Sequence, residues 1–485
     1  MPLQSVTRRI RRTITSLLVR RVAREESVRR ASLGAEFDGL PPSRWGCAVN
    51  AAGEITNQGF SLVALARQFG SPLHVVDRAR LIQNANEFAA PFRAGGVQVT
   101  LATSYKTNPL PGVLQVLHEW GTLAEVISPF ELWLARRLGM PGERIVFNGP
   151  GKTPDSLRSA VECGVRIVNI DGPHEIDLLA RAAAERGVRQ RVGLRVVTSV
   201  GWSGQFGFSI ADGSAFRAFE QIHRQPSLDP AGLHLHLGTG IKDLSTYQTA
   251  VEEVFEFARH LRERLGLRIG CYDLGGGFGV PTVRSRTTWD DRLVAHGYAA
   301  PLAFAEDCPA PSDYAACLLP ILERFRVAGE EPPEVILEPG RAITSSAQIL
   351  LLGILSTKPA PHGKTAVILD GGKNLTLPLE WETHQIFPAG KMHMPFDETC
   401  DLYGPLCHPG DVVAISKPFP RLEAGDVVAV MDAGAYFIPN QLNFSQPRPA
   451  VVMIEDGHAR PIRARERFED IVRLDELTID DPGGP

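Results

Sequence analysis

VQVTLA, residues 97–102, is an apolar run typical of a β-strand, and SYKTN, residues 104–108, follows it closely. A lysine at the end of a strand can point its amine into the mouth of a barrel. Burial there would lower the pKa of the amine and make Lys106 a usable nucleophile. Taken alone, the pattern also fits a solvent-facing lysine in a turn, because charged residues are mostly exposed. Motifs elsewhere in the chain favour the buried interpretation.

β-like runs alternate with amphipathic helical runs over residues 73–345. The predicted strands are 98–101, 123–126, 145–148, 167–170, 192–197, 232–236, 272–274 and 335–338. Eight strands separated by helices indicate an α/β fold of the (β/α)8 barrel type rather than an open sheet. The residues that are candidates for catalysis or binding follow the carboxyl ends of these strands, where barrel enzymes keep their active sites. They are Lys106, Asn148, Asp171, Arg195, His236, Gly275–Gly277 and Glu338.

The segments that flank the barrel have a different pattern of predicted secondary structure. Short β-like runs with Gly/Pro turns fill residues 346–485, at 348–355, 365–370, 412–416, 426–432 and 450–454. This pattern predicts an all-β carboxyl-terminal domain, either a small barrel or a sandwich. Residues 45–72 contain a predicted short helix at 60–69, and we expect this segment to pack with the β domain.

Residues 1–44 form a basic amino-terminal extension. It ends in a predicted linker, LPPS at 40–43. Nine arginines lie between positions 8 and 30, and apolar residues recur at helical spacing at Ile10, Ile14, Leu17, Leu18 and Val22. A basic amphipathic helix of this kind can lie on an anionic membrane or act as a targeting peptide. We favour a solvated or partner-packed extension, because basic stretches are usually exposed. The extension lacks the apolar core and cleavage site of a secretory signal.

Composition indicates a globular cytoplasmic protein. The net charge of −4 argues against bulk nucleic-acid binding. The seven cysteines are scattered without a Cys-x-x-Cys pair, which fits free thiols in a reducing cytosol better than a disulfide framework or a zinc site. No apolar run approaches the roughly 20 residues needed to span a bilayer.

Four further motifs connect the chain to a known family. DLGGGF stands at 273–278, EPGR at 338–341, GPLC at 404–407 and GAY at 434–436. With SYKTN, and in this order, they resemble the motifs of the pyridoxal-phosphate-dependent decarboxylases of the alanine-racemase-like fold (fold type III). This group contains diaminopimelate, ornithine and biosynthetic arginine decarboxylases. The resemblance covers residues 45–460 and implies a barrel followed by a β domain, a pyridoxal 5′-phosphate cofactor and a head-to-tail homodimer with shared active sites.

The resemblance assigns roles to the residues at one side of the site. Lys106 would bind the cofactor covalently and Glu125 would lie near that bond, although an ordinary helix-start carboxylate is an equal alternative for Glu125. Arg195 would brace the site, and His236 would stack on the pyridine ring. His234 and His236 lie on the same face of a strand, so only the family register selects His236.

The later motifs would complete the cofactor cradle. Gly275, Gly276 and Gly277 would let backbone N–H groups approach the phosphate. Their spacing does not match a dinucleotide fingerprint, which argues against a nicotinamide cofactor. Glu338 would keep the pyridine nitrogen protonated and so favour decarboxylation. Gly340 and Arg341 would contact the phosphate or a substrate carboxylate, and Tyr436 would reach the phosphate and line the substrate site.

The substrate end departs from the family pattern. Cys407 resembles the cysteine that enters the site from the partner subunit and protonates the carbon left after carbon dioxide departs. The family places an acidic residue next, where this chain has His408. Diaminopimelate decarboxylases also have an arginine before a Pro-x-x-Tyr block, where this chain reads LPLEW at 377–381. A distal carboxylate without a charged partner is costly to desolvate.

We therefore predict an amino-acid decarboxylase with a non-standard or conjugated substrate, as in siderophore or natural-product assembly. Trp381, His384 and His408 would line the distal pocket. A racemase or epimerase on the same fold is an alternative that Glu338 disfavours. A partner-binding relative without catalysis, similar to antizyme inhibitor, is another, but it would be expected to lose the cofactor residues. No metal site and no nucleic-acid partner are predicted.

Overall fold

The computed structural model describes residues 13, 15–26, 28, 39–94, 99–301, 308–326, 329 and 331–476. Residues 15–26 are helical, with Leu17 and Leu18 exposed and Val19 buried. Ile10 and Ile14 of the predicted amphipathic helix lie outside the described residues. Within the described part of the chain, no helix has the length and apolar character that a membrane crossing requires.

The segment before the barrel forms a small antiparallel sheet and one helix. After a 3-10 turn at Pro42–Trp45, its elements are β1 (Cys47–Val49), β2 (Ile55–Asn57), β3 (Phe60–Ser61), α1 (Leu62–Phe69) and β4 (Leu73–Asp77). Ser61 caps α1, because its hydroxyl accepts from the backbone N–H of Ala64. The predicted helix at 60–69 therefore begins two residues later than expected.

Eight parallel strands close into the predicted barrel. The next elements are β5 (Val99–Ser104), β6 (Leu123–Val126), β7 (Ile145–Phe147), β8 (Ile167–Ile170), β9 (Gln190–Val197), β10 (Phe208–Ser209), β11 (Leu228–His234), β12 (Cys271–Asp273), β13 (Arg284–Ser285) and β14 (Glu334–Leu337). Two short strands, β10 and β13, are not part of the ring. β8 pairs with β9, and β14 pairs with β5, so the sheet has no free edge.

Helices follow the strands of the ring, and most of them pack on its outer apolar face. They are α2 (Arg78–Ala94), α3 (Pro111–Trp120), α4 (Pro129–Arg137), α5 (Pro154–Glu162), α6 (Pro173–Arg186), α7 (Ser214–His223), α8 (Leu244–Leu265), α9 (Thr288–Ala295), α10 (Pro311–Arg324) and α11 (Gly340–Thr344). Five of them begin with proline at the first position, where the missing N–H costs no helical hydrogen bond.

The carboxyl-terminal domain is a β structure with two short helices. Its elements are β15 (Gln348–Ala360), β16 (Lys364–Leu369), α12 (Lys373–Thr376), β17 (Glu382–Thr383), β18 (Ile386–Pro388), β19 (Glu398–Tyr403), β20 (Val412–Phe419), β21 (Val427–Val430), β22 (Ala450–Glu455), β23 (His458–Arg463) and α13 (Phe468–Val472). The main sheet has the order β20-β19-β16-β15-β4-β22-β23, with β21 between β15 and β18.

One strand crosses the boundary that the sequence predicts at residue 73. β4 pairs antiparallel with β15 and parallel with β22, so Leu73–Asp77 belongs to the carboxyl-terminal sheet. No local pattern in the sequence shows which sheet receives this strand. Trp45 and Leu62 share an apolar core with Leu351 and Phe387, which attaches the amino-terminal segment to the β domain.

A buried ion pair supports the loop after β7. The Lys152 ammonium donates to Glu175 Oε2 at 3.1 Å, and both side chains are fully buried. Lys152 also donates to the carbonyl of Gly149. Burial lowers the pKa of Lys152, and the charge of Glu175 partly offsets that effect. The pair therefore fixes the loop that carries Gly149 to the carboxyl end of the barrel.

Replacing only one partner of this pair should destabilise the protein. We expect Lys152→Met to lower the free energy of unfolding by about 3–5 kcal/mol, because it leaves a buried carboxylate unpaired. Lys152→Met/Glu175→Gln should recover part of that loss. Urea denaturation measures both, with Arg158→Met at an exposed ion pair as the control. Equal losses in the single and double variants would contradict the expectation.

Candidate active site

Lys106 lies where the sequence predicted, one residue into the turn after β5. A 3-10 turn at Tyr105–Thr107 follows the strand directly. Asn108 secures the turn, because its amide donates to Gln348 Oε1 at 2.9 Å and to the carbonyl of Gly434 at 3.1 Å. These bonds join the end of β5 to the β domain, so the position of Lys106 depends on both domains.

The half-buried Lys106 faces a cavity of about 340 Å³. Its lining comes from the carboxyl ends of six barrel strands and from two segments of the β domain. The lining residues are Lys106, Glu125, Ile127, Asn148, Gly149, Pro150, Arg195, Trp202, Phe206, His234, His236, Thr239, Glu338, Arg341, Trp381, Glu382 and Tyr436.

Two buried carboxylates determine the charge of Lys106. Burial lowers the pKa of the ammonium, but Glu125 and Glu338 together outweigh burial and raise it above its ordinary value. The expectation that the pKa of Lys106 lies below its ordinary value is therefore wrong. The amine is charged here, and it must give up its proton before it can act as a nucleophile.

An amide connects the two carboxylates. Asn148 Nδ2 donates to Glu125 Oε1 at 3.1 Å and to Glu338 Oε1 at 2.6 Å. Burial raises the pKa of both glutamates, and Lys106 opposes that rise. Beneath them, burial and the charge of Glu338 raise the pKa of Asp273 well above its ordinary value. The pKa of each of these three carboxyl groups therefore lies above its ordinary value, because all three are buried close to one another.

Both predicted histidines line the cavity. His236 Nδ1 lies 3.7 Å from Glu338 Oε2, and burial lowers the pKa of His236 to about 3, with Lys106 and Arg195 adding to the effect. Burial also lowers the pKa of His234 well below its ordinary value. Both imidazoles are therefore neutral, and each presents a flat ring without adding positive charge.

Arg195 lines the cavity between a carboxylate and an aromatic ring. Its guanidinium donates to Asp171 Oδ2 at 3.2 Å and lies 4.0 Å from the ring centre of Phe206. Phe206 stacks with Trp202, whose ring centre is 5.7 Å from that of His236. The segment after β9 thus places two aromatic rings at the mouth of the cavity.

The triple glycine packs behind His236 and does not line the cavity. The Gly276 N–H contacts His236 Nδ1 at 3.4 Å. A Cβ at Gly276 would lie 2.2 Å from the backbone oxygen of Glu338, and one at Gly275 would lie 2.2 Å from that of Leu235. Only glycine therefore allows β12 and the segment after β11 to approach so closely. Contact of these glycines with a phosphate stays a prediction.

Arg341 is already paired. Its guanidinium makes a bidentate ion pair with Glu382, and both side chains are buried. His384 Nε2 contacts Glu382 Oε2 at 3.1 Å, and its Nδ1 contacts the carbonyl of Met431. Burial raises the pKa of Glu382, but His384 and Arg341 outweigh burial and hold it below its ordinary value. His384 therefore contacts Glu382, which lines the cavity, but does not line the cavity itself. Trp381 does line it.

Tyr436 has an unusual backbone for its residue type. Its φ is 67°, and its N–H donates to the carbonyl of Thr107 at 2.9 Å. Left-handed backbone is uncommon outside glycine and concentrates at functional sites. The Tyr436 ring lies below the guanidinium of Arg341 at 5.2 Å. Gly340 packs against Thr107, so a side chain there would displace the turn that carries Lys106.

Cys407 and His408 lie away from this cavity. Both are exposed, and His408 contacts the ring of Phe444 at 6.4 Å between centres. Neither is among the lining residues of the cavity in the same chain. Their predicted roles therefore depend on a second subunit and stay predictions.

Sequence reasoning did not assign a role to Asn148, Trp202, Phe206 or Glu382. Two signals were present. GWSGQFGF, residues 201–208, is rich in glycine and aromatic residues after a barrel strand, and Glu382 lies between Trp381 and His384, which were both assigned to the distal pocket. The ion pair of Glu382 with Arg341 joins residues 41 positions apart, which no local pattern reveals.

The cavity fits pyridoxal 5′-phosphate. It offers an amine for an aldehyde, a buried carboxylate for a ring nitrogen and a neutral imidazole in its lining. Glu125 Oε2 and both ring nitrogens of His234 are buried without a hydrogen-bond partner among the described residues. Buried polar atoms rarely stay unpaired, so the site is built for a polar occupant.

Comparison with known proteins agrees with this fit. Residues 78–345 match the family model "Pyridoxal-dependent decarboxylase, pyridoxal binding domain". The diaminopimelate decarboxylase of Bacillus subtilis is 30% identical over 441 residues, which cover 88% of this chain and 96% of that protein. The diaminopimelate decarboxylase of Zymomonas mobilis is 31% identical over 450 residues, covering 88% and 98%.

Solved structures give the same result. The crystal structure of diaminopimelate decarboxylase from M. jannaschii in complex with L-lysine superposes with a TM-score of 0.80. It is 26% identical, and the match covers 89% of this chain and 98% of that one. The chain therefore belongs to the pyridoxal-dependent decarboxylases, and it is a carboxy-lyase that acts on an amino acid with pyridoxal 5′-phosphate as its cofactor.

Proposed function

We propose that the substrate is a non-standard L-amino acid with a bulky or conjugated distal group, and that meso-diaminopimelate is not preferred. One observation carries this proposal: Glu382 occupies the guanidinium of Arg341 with a bidentate ion pair. A distal carboxylate needs a cation, and the other cationic side chains that line the cavity are Lys106 and Arg195. Lys106 faces two carboxylates, and Arg195 is paired with Asp171.

A second cavity supports a large distal group. It measures about 440 Å³ and shares Glu382 with the first cavity. His384, Tyr403 and Lys417 are among its other lining residues. Trp381 and Trp202 border the first cavity, and each is close to half exposed, at 42% and 47%. A conjugated amino acid, as in siderophore or natural-product assembly, could extend along these surfaces.

The relatives favour a second candidate, diaminopimelate itself. The relatives described above are diaminopimelate decarboxylases, and two of them are 30% and 31% identical to this chain. Against this candidate, the chain has Leu377 where the resemblance leads us to expect an arginine. The two candidates differ in whether the site recognises a distal carboxylate.

The residues around Lys106 suit decarboxylation. When bound, pyridoxal phosphate supplies an electron sink for the bond that releases carbon dioxide. Lys106, His236, Glu338 and Tyr436 would hold it. Asn148 donates to Glu338 Oε1, and Glu338 Oε2 lies 3.7 Å from His236 Nδ1, so this carboxylate is held beside His236. Neutral His236 adds no charge, and Trp202 and Phe206 limit the access of water.

Cys407 would protonate the carbon that has lost carbon dioxide. The cysteine that does so would belong to a second copy of the chain. The thiol is exposed and lies outside the lining of the cavity in its own chain. Phe444, which contacts His408, is also largely exposed, which suits a surface that a partner covers. These observations support a homodimer with shared active sites.

Loss of the Lys106 amine should abolish cofactor attachment. We expect the purified protein to show visible absorbance from the lysine-bound cofactor and Lys106→Ala to lose it, because no other side chain would supply the bond. Absorbance spectra after incubation with pyridoxal 5′-phosphate measure this. Lys358→Ala, at an exposed lysine on β15, is the control. Unchanged absorbance in Lys106→Ala would exclude this lysine as the attachment point.

Substrate choice is measurable as carbon dioxide release. The panel contains meso-diaminopimelate, L-lysine, L-ornithine and L-arginine. It also contains L-lysine and L-ornithine acylated on the distal amine. We expect an acylated or otherwise bulky substrate to give the highest kcat/KM. A preference for meso-diaminopimelate would overturn the proposal and support the second candidate.

Freeing Arg341 should alter that preference. In Glu382→Gln the guanidinium loses its charged partner, so we expect kcat/KM for meso-diaminopimelate to rise about tenfold over the unaltered enzyme, the size of one accessible charge pair. Glu423→Gln, at an exposed ion pair in the β domain, should change nothing. No gain for Glu382→Gln, with the cofactor still bound, would remove Arg341 from substrate selection.

Shared sites can be tested with hybrid dimers. Lys106→Ala and Cys407→Ala chains with different tags are co-expressed, and dimers that carry both tags are purified. One site of each hybrid then has both native residues, so we expect about half the activity of the unaltered dimer. Activity no higher than that of either parent would place Cys407 in its own chain's site.

A further inference from the structure

Asn148 occupies a position that no family motif in this chain explains. It follows β7 at the carboxyl end of the barrel, and its side chain is buried. Nδ2 donates to Glu338 Oε1 at 2.6 Å and to Glu125 Oε1 at 3.1 Å. One amide nitrogen therefore contacts both carboxylates that face Lys106.

The orientation of this amide is fixed. Asn169 Nδ2 donates to Asn148 Oδ1 at 2.7 Å, which leaves the NH2 group of Asn148 pointing at the two glutamates. Asn169 is itself oriented, because the same Nδ2 lies 3.4 Å from Asp273 Oδ2. A flipped Asn148 would place its oxygen against two carboxylates, so the network permits one arrangement.

We propose that Asn148 is a positioning residue whose single amide holds Glu125 and Glu338 as two ionised acceptors around Lys106. An asparagine is suited to this task because its NH2 group has two protons and no charge. An aspartate would bring a third acceptor, and a serine could donate to one glutamate only. The inference goes beyond the proposed function, since it holds for any amino-acid substrate.

The role has a consequence for the charge of the site. Glu125 and Glu338 repel each other, and each loses the stabilisation of an Asn148 hydrogen bond if the amide is removed. One of the two carboxylates would then take up a proton. Lys106 would lose one of the two charges that keep its amine protonated, so its titration would move to lower pH.

Other groups also face Lys106 and must be included in that expectation. Those with a charge or a titratable proton are Glu125, Glu338, Tyr436 and Arg195, with neutral His234 and His236 beside them. Arg195 lowers the pKa of Lys106 and Tyr436 raises it. Neither residue has a hydrogen bond with Asn148 among the contacts that the described residues make, so a change at Asn148 acts on Lys106 through the two glutamates.

The test is the pH dependence of Lys106 reactivity in cofactor-free protein. An amine-selective acylating reagent is applied over a pH series, and mass spectrometry measures modification of the peptide that contains Lys106. We expect the midpoint in Asn148→Ala to fall by about one pH unit, the scale of one lost neighbouring charge. Asn148→Ser, which keeps one donor, should move it in the same direction by less.

Asn84→Ala is the matched control. Asn84 is also a buried amide whose Nδ2 contacts two acceptors, the carbonyl of Ile343 and Ser346 Oγ, but neither acceptor is a carboxylate. It should lower thermal stability without moving the Lys106 midpoint. If Asn148→Ala does not fold, Asn148→Ser decides the question.

The loaded enzyme gives a second readout. We expect both Asn148 variants to retain visible absorbance of the bound cofactor and to show a changed pH profile of that absorbance. An unchanged Lys106 midpoint in the folded variants, or an equal shift in Asn84→Ala, would overturn the assignment. Because neither measurement uses a substrate, failure here is distinct from failure of the proposed substrate class.

Discussion

An ammonium that faces two buried carboxylates is the interaction on which this site depends. Burial lowers the pKa of Lys106, but the charges of Glu125 and Glu338 raise it, and the net pKa lies above its ordinary value. Three strands supply these groups, and the turn that carries Lys106 is bonded to the β domain through Asn108. The charge balance of the site therefore requires a closed barrel and a docked second domain.

At the other end of the cavity the charged side chains are already paired with each other. Around Lys106 the charges remain available for a cofactor, whereas Arg341 and Glu382 neutralise each other in the wall that a substrate side chain would meet. Breaking such a pair costs several kcal/mol, because the remaining charge stays buried without a partner. A charged distal group must then compete with an intramolecular ion pair. A neutral or extended group has no such competition, and it has aromatic surface on Trp202 and Trp381 to contact.

Sequence patterns predicted most of the scaffold and the cofactor side of the site. Leu123–Val126 and Ile167–Ile170 match their predicted ranges, because continuous apolar runs between turn signals define buried parallel strands well. Lys106, His236 and Glu338 line one cavity because they follow strands of one ring. The partner sheet of β4, the short strands β17 and β18 and the Arg341–Glu382 pair were missed, since each depends on contacts between distant segments. The sign of the Lys106 pKa shift was missed for the same reason.

The most direct measurement is peptide mapping after borohydride reduction of the protein loaded with pyridoxal 5′-phosphate. Reduction fixes the cofactor to the nitrogen that holds it, and mass spectrometry then identifies the modified residue. The account predicts one modified lysine per chain, Lys106, the residue that Glu125 and Glu338 surround. Modification of a different lysine, or a protein that takes up no cofactor, would contradict it.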